Sequence, residues 1–333
     1  MESALRPMRA TILLLVPILI CTAIAGEGNP GSGPAVDAGK PTPPKQPKTG
    51  PGGAEYPHAA YRETEHGAGG EQFWILEPSR PTPAKAPLVI FIHGWSAMTP
   101  ETYRGWVAHL AKRGNIVVYP RYQERLLTPA TEYFPNVTAS IRQALAVLRE
   151  PGRVSPDLEK VAVVGHSVGG VETANFCVNA AAEKLPVPNA AMIVQPGQGS
   201  ERGPNIVALD DCGRIPAETH LLVIVGDADG IVGTRSARTI WQDTKQVRDR
   251  TFVTLQSDEH GTPPLRANHL SPVSWSREAT DALDWSGYWR LFDGLMNAAF
   301  AGANYTVDPD MGMWSDGTPV KPLKVERAVN IQH

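Results

Sequence analysis

The chain has 333 residues, 42% of them apolar and 20% charged, with a formal net charge of −3. That is enough apolar material for one large core, and the lack of any basic block argues against a nucleic-acid partner. No group of His, Cys and carboxylate side chains has metal-ligand spacing, so neither a metal nor another cofactor is expected.

Arg6 and Arg9 precede an apolar run over residues 12–20, and small residues follow at 23–25. This is the layout of a secretory signal peptide over residues 1–25. The run is short of the ~20 residues a spanning helix needs and contains Pro17. The expectation is therefore a secreted protein, extracellular or periplasmic, with no stable membrane insertion once the signal is removed. Cys21 offers an alternative, a lipoprotein attachment site, although the bulky Ile20 before it departs from the small residue such processing favours. Export leaves two cysteines, Cys177 and Cys212. In an oxidising compartment they predict one disulfide worth roughly 3–4 kcal/mol in loop entropy, against two buried free thiols. Residues 26–55 carry Gly and Pro at nearly every second place and almost no large apolar side chain, which predicts a disordered tether.

From Tyr56 onward, short β-rich runs alternate with helical periods, the sign of a mostly parallel sheet covered on both faces. Residues 58–65 and 72–77 read as two strands joined by a turn at 66–70. Residues 88–92, Leu-Val-Ile-Phe-Ile, form an unbroken apolar run suited to a central strand. A helix over 99–112, a strand over 115–119, an irregular loop over 121–133 and a helix over 135–149 follow. Further strands are predicted at 190–194, 221–225 and 251–255, with a helix at 235–247. A last amphipathic helix, 277–300, carries the stripe Trp285, Trp289, Phe292 and Leu295 or Met296. Residues 302–333 read as a C-terminal extension with a hairpin turned at Asp316-Gly317.

The stretch 158–171 organises the rest. An apolar run, Val161 to Val164, enters Gly165-His166-Ser167-Val168-Gly169 and continues into a helix-compatible segment, 171–183. A G-x-S-x-G sequence between a strand and a helix makes a turn so sharp that glycines are needed at 165 and 169, and it lifts the Ser167 hydroxyl clear of the sheet. A helix-capping serine in a glycine-rich turn is the bland alternative.

This element order and turn resemble the α/β-hydrolase family over residues 56–301, with a sheet of about eight strands and no large cap domain. Asp229 follows Ser167 by 62 positions, which leaves no room for a helical cap. Among cap-less relatives, the resemblance is to dienelactone hydrolases in fold, and to acetylhydrolases and cutinase-like polyester hydrolases. It implies a serine esterase that cleaves small or polymeric carboxylic esters through an acyl-enzyme. A serine peptidase or lipase of the same fold, or a non-catalytic scaffold that kept it, are the alternatives.

A serine hydroxyl needs a base within hydrogen-bond reach and an acid to orient that base. Asp227 and Asp229 both follow the strand 221–225, at the sheet end where reactive groups collect, and the resemblance favours Asp229. For the base, His260 follows the last strand and completes the order Ser, acid, His; His269 is the reserve. The resemblance further implies an oxyanion hole from the backbone N–H groups of Trp95 and Val168, with His93 bracing the loop. Trp95, Tyr122 and Tyr133 are candidate aromatic walls of the substrate pocket.

Overall fold

The computed structural model of the chain describes residues 39–199, 206–274 and 280–329. The proposed signal peptide, Cys21 and residues 26–38 of the proposed tether lie outside them.

Nine strands form one mixed sheet in the order β1-β2-β4-β3-β5-β6-β7-β8-β9, one strand more than the sequence led us to expect. Strands β1 (Ala60–His66) and β2 (Phe73–Ser79) form an antiparallel hairpin, and β2 runs antiparallel to β4. Strands β3 (Lys85–Ile92), β4 (Ile116–Pro120), β5 (Ser155–His166), β6 (Ala190–Val194), β7 (His220–Gly226) and β8 (Asp249–Leu255) are mutually parallel. The extra strand is β9 (Lys324–Val329), antiparallel to β8. The C-terminal extension is thus built into the sheet edge. It turns at Asp316-Gly317, where Trp314 N–H donates to Thr318 O at 2.8 Å.

Alternation along each parallel strand explains the layering. Leu88, Ile90 and Ile92 face one apolar cluster, shared with helices α2 (Tyr133–Val147), α3 (Val168–Asn179) and α4 (Arg235–Asp243). Val89 and Phe91 face the other, shared with α1 (Arg104–Lys112), the π-helical turn Leu283–Trp289 and α5 (Arg290–Phe300). A central strand buried on both sides has no polar face, which is why 88–92 reads as continuous apolar sequence. This is the α/β-hydrolase fold, and no large cap stands over it among the described residues.

Two sequence expectations fail here. Residues 39–55 are not a disordered tether but a strap laid along the body. Thr42 N–H donates to Ser315 Oγ (2.9 Å), Thr262 N–H to Pro41 O (2.8 Å) and Gly52 N–H to Asp293 Oδ2 (2.8 Å). Gly52 has φ +73°, and a Cβ there would overlap the Trp285 carbonyl. Order comes from the strap's backbone, so a count of apolar side chains misses it. The Cys177–Cys212 disulfide is also absent: both are buried free thiols. They sit in one apolar cluster, where burial pushes the Cys212 thiol up to about 12 and Cys177 higher still, so both are poor thiolate nucleophiles.

Candidate active site

Strand β5 ends at His166 and α3 begins at Val168, so Ser167 occupies the whole of the turn between them. Its backbone lies at φ 58°, ψ −123°, an uncommon conformation for a residue with a Cβ. Such a turn is sterically possible only because of its glycines. A Cβ at Gly169 would overlap the carbonyl oxygens of Ile92 and His93, and one at Gly165 would overlap Gly169 O and the Thr173 hydroxyl.

The histidine that bonds to the Ser167 hydroxyl is His269, not His260. His269 Nε2 lies 3.0 Å from Ser167 Oγ, and His269 Nδ1 lies 2.8 Å from Asp229 Oδ2. A neutral imidazole donating from Nδ1 to Asp229 leaves Nε2 to accept from the serine hydroxyl. Burial favours a neutral Asp229, but bonds from His269 and from the N–H groups of Val232 and Ile231 outweigh it. They hold the carboxyl below its ordinary range. Asp227 serves elsewhere, accepting from the N–H (2.9 Å) and hydroxyl (2.6 Å) of Ser257.

The path of the chain after β8 carries His260 away from Ser167. After β8 the chain makes an excursion closed by the paired bonds Asp258 N–H to Leu265 O (2.7 Å) and Leu265 N–H to Asp258 O (2.9 Å). His260 sits on the excursion, where Nε2 meets Asp316 Oδ2 at 2.8 Å and pins the C-terminal extension. The return leg brings Ala267 against the end of β7, where Ala228 N–H donates to Ala267 O at 3.1 Å. Only Gly226 permits that approach, since a Cβ there would overlap Ala267 O. His269 is delivered two residues later; its side chain is 8% exposed, against 37% for His260.

Three side chains not singled out by the sequence hold this loop from below. Gln195, fully buried and at φ 42°, donates from Nε2 to Asn268 O at 2.8 Å. His166 packs its ring against His269, centroids 4.7 Å apart. Burial and the neighbouring His269 push the His166 pKa down to about 3. Tyr103 accepts from Gly94 N–H (3.1 Å) and donates to His166 Nδ1 (2.7 Å), tying the loop after β3 to His166. The one sequence signal for Gln195 is an amide between the apolar strand 190–194 and Pro196-Gly197.

The loop after β3 lies against the serine: a Cβ on Gly94 would be 3.3 Å from Ser167 Cβ. His93 braces it, held between the carbonyls of Gly94 and Arg121 at 2.6 Å each. Ser96 N–H is taken by Gln123 Oε1 (2.9 Å), whereas the N–H groups of Trp95 and Val168 have no acceptor among the described residues. Val168 also opens α3, whose dipole places partial positive charge there. Trp95 stands 49% exposed beside the site. Tyr122 and Tyr133 offer almost no exposed surface for a pocket wall. Tyr122 is buried, stacked on His93 at 4.1 Å and bonded to His93 O at 2.7 Å. Tyr133 is buried too, its hydroxyl accepting from Gln123 Nε2 at 2.8 Å. A cleft of about 490 Å³ against α1, walled by Tyr56, Tyr61 and Trp289, contains none of these residues.

Residues 63–208 match the family model described as Chlorophyllase, a family of α/β-hydrolase-fold serine esterases. The matched stretch includes the turn at Ser167 and ends before Asp229 and His269. No curated protein matches the chain.

Proposed function

We propose that this chain, an α/β-hydrolase-fold protein similar over residues 63–208 to a family of serine ester hydrolases, cleaves carboxylic esters through an acyl-enzyme on Ser167. The observation that carries the reading is the continuous contact Ser167 Oγ, His269 Nε2, His269 Nδ1, Asp229 Oδ2 at 3.0 and 2.8 Å. His269 takes the hydroxyl proton as Ser167 Oγ attacks the ester carbonyl. Asp229, held ionised by its N–H donors, stabilises the imidazolium that results. The two uncommitted N–H groups, Trp95 and Val168, meet the developing oxyanion, a contribution typically worth 10²–10³ in rate per donor. Collapse of the tetrahedral adduct breaks the bond to the alkoxy oxygen, which leaves with the proton from His269. Water, deprotonated by the same imidazole, then releases the acid and restores Ser167. The apolar run and small residues at 12–25 support export as the setting.

A fluorophosphonate probe followed by peptide mass mapping tests this. The expected result is a covalent adduct on Ser167 that is lost in Ser167→Ala, together with hydrolysis of p-nitrophenyl acetate. Folded protein that takes up no probe at Ser167 would point instead to a scaffold that kept the fold.

A further inference from the structure

Strands β3 to β8 are parallel, so the loops that follow them all emerge at the sheet end that carries Ser167. Ten large apolar side chains are exposed among the described residues, and six belong to these loops. In sheet order they are Leu126 and Leu127 after β4, Trp95 after β3, Ile206 after β6, Ile231 after β7 and Leu270 after β8. Ser167, after β5, therefore stands between them. Scattered exposed apolar residues need no explanation, but six around one reactive group do. Leu270 directly follows the base, and Ile231 N–H donates to Asp229 Oδ1 at 3.0 Å.

Leu126 and Leu127 are the sharpest case. Thr128 N–H donates to Arg125 O, and Arg125 N–H to Thr128 Oγ1, both at 3.0 Å, closing a turn with the two leucines at its tip. They are 46% and 77% exposed. Turn tips ordinarily carry Gly, Asn, Asp or Pro, which suit the geometry and the water. Two leucines fixed there add exposed apolar surface with no packing return in the isolated chain.

We infer that this rim seats the protein on an aggregated, uncharged lipid ester, so that Ser167 meets its substrate at a lipid surface. The inference rests on Ser167 being the nucleophile proposed above. A single dissolved ester reaching Ser167 cannot touch side chains spread over five loops on both sides of it, whereas an extended apolar phase touches them together. Five of the six are aliphatic, which suits fluid alkyl chains. An aromatic polymer would instead be met by stacking rings. The sixth, Trp95, is the residue type enriched where lipid meets water. Among the described residues, exposed charges beside the rim leucines and the return leg after β8 offset one another, Arg125 beside Glu124 and Arg266 paired with Glu259 at 3.0 Å, so these pairs select no anionic headgroup.

The test uses the full chain and the double variant Leu126→Ser/Leu127→Ser. Tributyrin hydrolysis is followed across the solubility limit, p-nitrophenyl acetate serves as the dissolved ester, and flotation with phosphatidylcholine vesicles reads binding directly. The wild type should gain rate above the solubility limit and float with vesicles. The variant should lose about tenfold or more on the emulsion, from the lost apolar contact of two leucines, keep its kcat/KM on p-nitrophenyl acetate, and float less. Equal losses on both substrates, no loss on the emulsion, or a wild type that does not float would overturn the docking claim. Rim residues buried by a protein partner would fall among those outcomes. Failure of p-nitrophenyl acetate hydrolysis in the wild type would strike the esterase reading instead, and flotation would still decide the docking.

Discussion

Glu172 lies in the second turn of α3, 1% exposed, with one hydrogen bond, from Asn175 Nδ2 at 3.3 Å. Burial pushes its carboxyl up from 4.5 to about 8, so the folded chain keeps it protonated at neutral pH. The folded state then binds more protons than the unfolded state between these two values. Stability therefore falls as pH rises from the unfolded pKa and flattens once the folded pKa is passed. Taking each pKa unit as about 1.4 kcal/mol, raising the pH from ~6 to ~9.5 should remove roughly 3 kcal/mol through this one group. Glu172→Gln mimics the protonated acid and should lack this dependence. Urea unfolding at fixed ionic strength measures the difference. The gap between variant and wild type should widen by about that amount across the range. A gap constant with pH would mean that Glu172 is solvated or paired, and the reasoning would fail.

Two further predictions concern the elements that shape the site and the strap. Gln195→Ala removes the donor on Asn268 O, so kcat on p-nitrophenyl acetate should fall about ten- to a hundred-fold through displacement of His269, with KM nearly unchanged; a rise in KM alone would assign Gln195 to substrate binding. Gly52→Ala should cost roughly 1–2 kcal/mol for the left-handed backbone and about 1–3 kcal/mol for the overlap with Trp285 O. Thermal melting would register that loss, and limited proteolysis would show earlier cutting within 39–55; an unchanged Tm would contradict the strap.

What the sequence discloses depends on how local the cause is. The turn at Ser167 is legible because its steric requirement falls on glycines two residues to either side. Strands β3, β6 and β7 are legible because burial on both faces leaves unbroken apolar runs. Asp229 follows directly on β7, so its place is set by the strand. His269 is different. It lies beyond an excursion whose closure depends on Asp258 meeting Leu265, and on Asp258 also holding Trp314 Nε1 (3.1 Å) and Lys321 N–H (3.0 Å) from far along the chain. Pro263-Pro264, which bends the excursion back, was the available hint. The strap and the two thiols are hidden from the sequence for related reasons. Composition reports side chains, whereas the strap is fixed through its backbone, and a compartment says nothing of how Cys177 and Cys212 pack.

In the proposed mechanism His269, and not His260, activates Ser167. Measured kcat/KM on p-nitrophenyl acetate for His269→Ala and His260→Ala decides it. Losing the base should cost roughly 10⁴- to 10⁶-fold. Losing the largely solvent-facing pair between His260 and Asp316 should cost no more than about threefold. A His260→Ala enzyme as disabled as Ser167→Ala, beside a His269→Ala enzyme that still turns over, would contradict the account.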